Sequence, residues 1–252
     1  MNHRNGSLKR ITSELWGAIR IAKKDAKIYY LKSPVIMFGL VFPGFTYLAF
    51  TVGRSIEPTL LIPGLTAITV FFAAGSIGPA VLPLERKTNT LERLLSAPLS
   101  PFSIILGKTF AGAAFGLAMS LVPLLIGVLA LGMPISSLWL LIPCITLCAL
   151  AFAAFGILFS ARADEMPNAM MPMNLIRFPM LFVSGVFVPL ETMPHFLRPI
   201  AYLMPLTYAV DAMRQSVLGP LDSMMLVDLG ALSLFLALFL TLATRALKKD
   251  MQ

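Results

Sequence analysis

The chain has 252 residues, of which 58% are hydrophobic and only 13% are charged, whereas about a quarter of an average soluble domain is charged. Most of such a surface has to face lipid, so the composition excludes an ordinary soluble protein. The formal net charge of +8 would suggest nucleic acid as the partner of a soluble protein, but basic residues also accumulate in the cytoplasmic loops of membrane proteins, and we expect no nucleic-acid partner.

Apolar side chains recur at helical spacing over residues 1–34, among them Leu15, Ala18 and Ala22, while Arg20 and Lys24 fall on the other side. An apolar stripe backed by basic residues predicts an amphipathic helix that lies in the membrane plane and contacts membrane lipids. A solvated basic tail is the alternative interpretation. Because the segment has no apolar core of the signal-peptide kind, we expect it to be retained in the cytoplasm.

Six apolar stretches follow, each long enough to cross a bilayer as a helix of about 20 residues. They are residues 35–53, 60–84, 109–131, 138–160, 170–190 and 224–244. The proline content of the fifth stretch predicts a kinked or broken helix. We therefore predict an all-α fold, a polytopic protein with six transmembrane helices in a single domain over residues 35–252.

The distribution of basic residues predicts the orientation of these spans. With the amino terminus inside, sixteen lysines and arginines fall on the inner side and three on the outer side, and Arg177 is left within the membrane. Positive charge is concentrated on the cytoplasmic side of membrane proteins. We predict a multi-pass protein of the cell inner (plasma) membrane with both termini in the cytoplasm.

The charged segment 85–98 lies between the second and third stretches, on the predicted cytoplasmic side. Asn89 followed three residues later by Glu92 is typical of a helix start, and Pro98 ends the helix. Three leucines give this short helix one apolar face: Leu91, Leu94 and Leu95. Such a helix is suited to dock in a groove of a cytoplasmic partner. The alternative is an ordinary connecting loop.

Residues 191–222, between the fifth and sixth stretches, mix prolines and charges with apolar pieces that are too short to cross the membrane. Apolar stretches of about 10 to 14 residues are more often interfacial or re-entrant. We predict short helices that dip back from the outer side.

Taken together, these two segments resemble the type 2 ATP-binding-cassette (ABC-2 type) exporter permeases. After the second span the chain carries a glutamate, basic residues, Thr90, Leu91, Glu92, two leucines and Pro98. After the fifth span it carries Ser184, Gly185, Pro189, Met193, Pro194, Pro205, Leu206, Thr207, Tyr208 and Arg214. The resemblance extends over about residues 15–245.

The resemblance implies a role for each segment. The amphipathic helix over 1–34 would be an interface helix, residues 85–98 a cytoplasmic coupling helix, and residues 191–222 extracellular re-entrant helices. The residues implied in coupling are Glu85, Arg86, Leu91, Glu92, Arg93, Leu94 and Leu95. Those implied in the re-entrant region are Pro194, Pro205, Thr207, Tyr208 and Arg214.

The resemblance also implies the partners. They would be two copies of a separate ABC ATPase and a second permease copy or paralogue, which together form a dimeric exporter of drugs, lipids, glycans or ions. ATP and magnesium would bind to the ATPase, so that this chain would carry no cofactor, no metal and no catalytic residue.

Arg177 stands near the middle of the fifth stretch, where a cation costs roughly 2.5 to 3.5 kcal/mol on insertion scales. It is therefore expected to face protein, water or an acidic group. One interpretation places it on the transport path or at the dimer interface. The other starts the span later and leaves Arg177 at the cytoplasmic boundary.

Other patterns favour structural interpretations. Gly107, Lys108 and Thr109 match the end of a phosphate-binding loop, but Phe102 stands where the first glycine is required, and we expect Lys108 to extend to the inner membrane surface. Cys144 and Cys148 are expected to pack on one helix face.

Two other functions have to be weighed. An intramembrane protease would need a nucleophile with a membrane histidine or a pair of membrane aspartates, and neither arrangement is apparent. A secondary transporter or channel remains the alternative function, and its transport would not depend on an ATPase.

Overall fold

The structure, a computed structural model, describes residues 2–30, 41, 44–45, 48–49, 57–134, 137–187, 190–219 and 222–250. Within these ranges the regular secondary structure is helical throughout and no strand occurs. The predicted all-α class is therefore confirmed for this part of the chain. The first predicted span, residues 35–53, lies almost entirely outside the described residues.

The first helix, α1, spans Asn2–Asp25 and continues into a π-helical turn at Ala26–Tyr30. It packs against the third predicted span. From Thr12 to Asp25, the part of this helix whose side chains are described, the buried positions are Ala18, Ile21 and Asp25, whereas Trp16 is 61% exposed. Of the predicted apolar stripe in that part, Leu15 is exposed and Ala22 is partly buried.

Four stretches of helix are long and apolar enough to cross a membrane among the described residues: Pro58–Lys87, Pro101–Ala130, Leu138–Ser160 and Ser223–Lys249. They correspond to the second, third, fourth and sixth predicted spans. The chain is therefore a membrane-embedded protein.

The second span consists of two helices, α2 (Pro58–Ser76) and α3 (Gly78–Lys87), separated by Ile77. A short helix, α4 (Thr90–Leu95), follows at the end of α3. The third span begins with α5 (Pro101–Leu125), which Ser100 caps through a hydrogen bond from the Ser103 backbone N–H. The fourth span is α6 (Leu138–Ser160).

The fifth predicted span forms a helix of 18 residues, α7 (Met166–Val183), which is not among the four candidate spans. It is continuous through Pro172 and Pro179. The prediction that it extends to residue 190 is wrong, because the helix ends before Gly185, whose φ of +76° is a conformation that glycine adopts readily. Arg177 is the twelfth residue of α7, and its depth in the membrane stays a prediction.

The segment after α7 folds into short helices and then the last span. A 3-10 turn at Leu190–Thr192 precedes α8 (Arg198–Tyr202) and α9 (Pro205–Leu218). The last span is α10 (Ser223–Asp250). Because α9 contacts α2, α6 and α10, the predicted re-entrant region is packed against the spans. Its depth in a membrane stays a prediction.

The core lies between α2 and α6, where Phe71 and Phe152 meet with ring centroids 4.8 Å apart. The two helices approach closely because each presents a glycine: a Cβ on Gly156 would stand 2.6 Å from the backbone oxygen of Gly75. Cys144 and Cys148 are fully buried and unpaired on α6, as the sequence predicted.

Candidate coupling and transport site

Four charged side chains meet inside the protein, where α1, the end of α3 and α5 come together. Lys108 Nζ lies 2.5 Å from Glu85 Oε2 and 3.2 Å from Asp25 Oδ2. Lys24 Nζ lies 2.5 Å from Glu85 Oε1 and 3.0 Å from Asp25 Oδ1. This group, here called the ionic cluster, contains two cations and two anions, so its formal charge is zero.

Burial makes the ionic cluster a strong constraint on structure. The side chains of Asp25, Glu85 and Lys108 are at most 1% exposed, while Lys24 is 33% exposed. A buried charge that loses its partner is strongly destabilising. The three helices therefore have to stay in register for these charges to remain paired.

Lys108 corrects one of the sequence-based expectations. We expected its side chain to extend to the inner membrane surface, but the residue is only 1% exposed and its ammonium group is bound by Glu85 and Asp25. That expectation is wrong, because two carboxylates inside the protein offer the ammonium group a closer anionic partner than the surface does.

Lys24 is the most exposed member of the ionic cluster. Burial lowers the pKa of Lys24, but the hydrogen bond to Glu85 and the charges of Asp25 and Glu85 outweigh burial, and the net pKa is raised. The lysine therefore stays positively charged at neutral pH.

Helix α4 carries most of the residues implied in coupling. Leu91 is buried, and Leu94 and Leu95 are partly buried against the core. Glu92 and Arg93 are exposed. The short helix is thus held by its leucines and presents its charges to the surroundings.

The turn before α4 sets its direction. Asn89 adopts a left-handed conformation with φ of +53°, which asparagine tolerates better than most residues. The helix starts at Thr90, at the place that the sequence predicts, although the Asn89 side chain makes no capping hydrogen bond.

Glu85 and Arg86, also implied in coupling, contact other parts of the same chain. Glu85 belongs to the ionic cluster, and Arg86 donates from Nη2 to the backbone oxygen of Ala161 at 2.8 Å. Lys87 Nζ lies 3.2 Å from Glu165 Oε1. The end of the second span is therefore joined to the loop after the fourth span, and both segments were assigned to the same side of the membrane.

An open groove of about 560 Å³ separates α1 from the segment that follows α4. Trp16, Arg20 and Lys24 line one side, and Leu94 and Pro98 line the other. The Arg20 guanidinium carbon lies 5.4 Å from the centre of the Trp16 ring. The groove thus combines a basic wall with an apolar wall.

Arg177 is 3% exposed and lies between α7 and α2. Its guanidinium carbon is 5.1 Å from the ring centre of Phe71 and 4.8 Å from that of Phe72. Within the described residues it has no ion pair, and its Nε and Nη2 atoms have no hydrogen-bond partner. The interaction with the two rings is the main stabilising contact of this buried cation.

Hydrogen bonds fix the outer segment. Thr207 Oγ1 donates to the Ala201 oxygen at 2.6 Å, and Tyr208 Oη donates to the Tyr202 oxygen at 2.7 Å. Arg214 Nη2 donates to the Gly185 oxygen at 2.9 Å. These three residues hold α8, α9 and the end of α7 together.

Two further prolines were implied in this region. Pro205 starts α9 and is buried, while Pro194 is exposed in the turn before α8. The implied residues are thus spread over the outer segment rather than gathered at one point.

The sequence did not single out Asp25 or Lys24 as partners of the coupling segment. The need for such partners could have been predicted from the sequence, because Lys108 and Glu85 stand at the edges of two neighbouring spans. Each such charge needs a partner of opposite sign.

Comparison with known proteins supports the same assignment. The family model described as ABC-2 type transporter matches residues 13–218. The chain belongs to the ABC-2 type transporter family. It is therefore a membrane permease of an ABC transporter, as the two segments had indicated.

Relatives of this permease carry compatible descriptions. Nodulation protein J of Neorhizobium galegae is 25% identical over 245 residues, which cover 92% of this chain and 93% of the relative. The inner membrane transport permease YadH of Escherichia coli is 24% identical over 197 residues, covering 78% and 73%. The probable multidrug ABC transporter permease YbhR of the same species is 25% identical over 156 residues, covering 62% and 42%.

Proposed function

We propose that this chain is the membrane-spanning subunit of an ABC exporter, driven by ATP hydrolysis on two copies of a separate ATPase. Two permease chains, either identical or paralogous, form the translocating unit in the inner membrane, with all termini in the cytoplasm. The substrate is a drug, lipid, glycan or ion that leaves the cytoplasm or the inner leaflet. ATP and magnesium bind to the ATPase and not to this chain.

The ionic cluster is the observation that carries this proposal. A motor outside the membrane can drive the spans only if the segment it touches is rigidly connected to them. Glu85 stands five residues before Thr90, the first residue of α4. Its carboxylate is bound to Lys108 of α5 and to Lys24 of α1. Force applied at α4 therefore reaches the first helix and the third span together.

The exposed surface next to the cluster supplies a contact for the ATPase. Glu92 and Arg93 project from α4 beside the groove that Trp16 and Pro98 line. A complementary pair of charges on the ATPase would fix the orientation of the contact, as charged pairs do at many interfaces. The leucines of α4 pack against the core of the permease and take no part in this contact.

Charge reversal on α4 tests the proposal. In vesicles containing the permease and its ATPase, Glu92→Lys combined with Arg93→Glu is expected to lower transport-coupled ATP hydrolysis at least fivefold, because like charges then meet at the contact. The amount of permease in the membrane should not change, since both side chains are exposed.

The matched control is Glu191→Lys, an exposed reversal in the outer segment, which should leave coupled hydrolysis unchanged. If the α4 reversals hydrolyse ATP and transport substrate like the unmodified complex, then α4 is not the contact. If the purified permease never alters the activity of the ATPase, then the exporter proposal itself is wrong.

A further inference from the structure

Arg177 lies on α7, Ser184 follows the end of that helix, and Arg214 lies on α9 in the outer segment. Arg177 and Ser184 are seven residues apart, so they lie on the same face of the helix and its end, about 10 Å apart. Arg177 faces Gly75 of α2, whereas Arg214 approaches Gly64, some 16 Å away along the same helix. This set therefore contains two arginines and a serine, and the carboxylates of Asp211 and Glu191 lie near Arg214.

These side chains contain donors without acceptors. In the described part of the chain the buried atoms that lack a hydrogen-bond partner include Nε and Nη2 of Arg177, Oγ of Ser184 and Nε of Arg214. Native proteins leave few buried polar atoms unpaired, and each such atom calls for an explanation such as an ion. Eleven of the twelve Asp and Glu residues of the sequence have side chains that the structure describes, and none of these eleven forms an ion pair with Arg177.

The two free atoms of Arg177 are neighbours on one edge of the guanidinium group. An edge of this kind presents two parallel N–H bonds, which match two oxygens of one carboxylate or phosphate. Phe71 and Phe72 occupy positions over the guanidinium group at 5.1 and 4.8 Å, so its edge remains for an acceptor. Gly75 allows the guanidinium group to lie directly against α2, because a Cβ at that position would stand 2.5 Å from Nη2.

We propose that Arg177 binds the phosphate or carboxylate of an anionic amphiphile that this exporter transports. The inference rests on the proposed function and adds the class of substrate to it. The edge of the guanidinium group holds the two oxygens, and Ser184 donates a further hydrogen bond as the anion moves outward. Phe71 and Phe72 contact the apolar part of the molecule.

Binding can be measured on the purified permease without its ATPase. Lysophosphatidic acid and lysophosphatidylcholine share an acyl tail and differ in net charge, and each is titrated against the thermal unfolding midpoint in a neutral detergent. A ligand that binds only the folded state raises that midpoint. We expect lysophosphatidic acid to act at a concentration at least tenfold lower than lysophosphatidylcholine, since hydrogen bonds to charged groups are the stronger ones.

Arg177→Gln is expected to abolish this tenfold preference, and Arg177→Lys to retain part of it, because a lysine keeps the charge but loses the two-pronged geometry. Folding should survive the change to glutamine, since an unpaired buried charge is removed; the yield of monodisperse protein reports this. Arg245→Gln, an exposed arginine near the end of α10, is the matched control and should keep the full preference.

A second titration, with phosphatidylglycerol added, separates the two sources of the anion. If phosphatidylglycerol raises the lysophosphatidic acid concentration needed to shift the unfolding midpoint, a resident lipid headgroup competes for the same site. If that concentration is unchanged, the site belongs to the transported molecule alone. Both results support the anion site.

The inference is overturned if the unmodified permease does not prefer the anionic lipid, or if Arg177→Gln keeps the preference. It is also overturned if Arg177→Gln reduces the mass of the permease dimer, because the partner of Arg177 is then a second protein chain. None of these results changes the outcome of the charge-reversal test on α4. The anion site at Arg177 can therefore be wrong while the proposed ATP-driven export is right.

Discussion

At the scale of single residues, the ionic cluster determines how α1 is attached to the membrane domain. Asp25 and Glu85 would each be an isolated buried anion without the lysines, and Lys108 would be an isolated buried cation without the carboxylates. The effective penalty for burying one such ion is several kcal/mol. The four side chains are therefore stable only together, and the attachment depends on all of them.

Replacing Lys108 by methionine is expected to lower the stability of the permease by about 3 to 5 kcal/mol, the range for breaking a buried pair. The double change Lys108→Met with Glu85→Gln should cost less than the sum of the two single changes, because it also removes a carboxylate that would be left without its closest partner. Thermal unfolding of the purified protein measures both effects.

Lys87→Met is the control for this cycle, because Lys87 and its partner Glu165 are both 58% exposed and exposed pairs contribute little. Simple additivity of the Lys108 and Glu85 changes would show that the two groups are not coupled.

Residue-level prediction from the sequence succeeded where the pattern was local. The leucines of α4 and the start of that helix at Thr90 follow from spacing along a few residues. The partners of Lys108 could not be predicted, because Asp25 is 83 residues away in the chain and only tertiary packing brings the two together. Arg177 was expected to face protein, water or an acidic group, and the sequence does not show that its contacts are the aromatic rings of Phe71 and Phe72.

At the scale of elements, the pairing of α2 with α6 depends on glycines. Gly75 of α2 faces Gly156 of α6, and a Cβ on Gly156 would overlap the Gly75 backbone oxygen. Gly78, the first residue of α3, approaches the backbone of Gly156 as closely. Small residues at such contacts are typical of helix pairs in membranes, where association depends on close packing.

Gly156→Ala is expected to destabilise the permease by about 1 to 3 kcal/mol, the range for overpacking, because the new Cβ would meet the Gly75 backbone oxygen at 2.6 Å and backbone atoms cannot rotate away. The thermal unfolding midpoint in detergent reports the change.

The comparison is with Gly230→Ala on α10, where an added Cβ meets nothing within 4 Å. That variant should match or slightly exceed the unmodified protein, since alanine favours helix over glycine. Equal unfolding midpoints for the two variants would contradict the close contact of α2 with α6.

Elements were predictable from the sequence to different degrees. Long apolar stretches predicted the second, fourth and sixth spans to within about five residues at each end, because length and hydropathy are local properties. The helix of the third span begins at Pro101, eight residues before the predicted start at residue 109. The break at Ile77 and the end of α7 at Val183 were not predicted: both depend on how the backbone turns near a glycine, and glycine position alone does not specify this.

At the scale of the whole molecule, the four candidate spans of the described residues differ in burial: two are mostly buried and two are mostly exposed. The second and fourth spans are 83% and 72% buried over their most apolar windows, whereas the third and sixth are 33% and 22% buried. The exposed pair is thus left to contact lipid or a second permease chain.

The position of α4 relative to the membrane can be tested directly. In a background with Cys144→Ala and Cys148→Ala, Asn89→Cys should resist a membrane-impermeant maleimide in intact cells and react in inverted vesicles, because Asn89 is exposed and its loop is basic. Glu191→Cys should behave in the opposite way. Labelling of the Asn89→Cys protein from outside would put α4 out of reach of any cytoplasmic ATPase.

The orientation of the chain rests on the uneven distribution of basic residues along it and stays a prediction. The number of permease and ATPase chains could not be predicted from the sequence, because composition and periodicity carry no information about copy number. Family membership supplies the ATPase in general terms only.

The ionic cluster also sets an order of events during synthesis. Asp25 leaves the ribosome 83 residues before Lys108. Because translation proceeds at about 5 to 20 residues per second, Lys108 is synthesised several seconds after Asp25. A chain arrested before the third span enters the bilayer would carry Asp25 and Glu85 without Lys108, the buried cation that contacts both carboxylates. The amino-terminal helix of the nascent chain can therefore dock only after that span has been inserted.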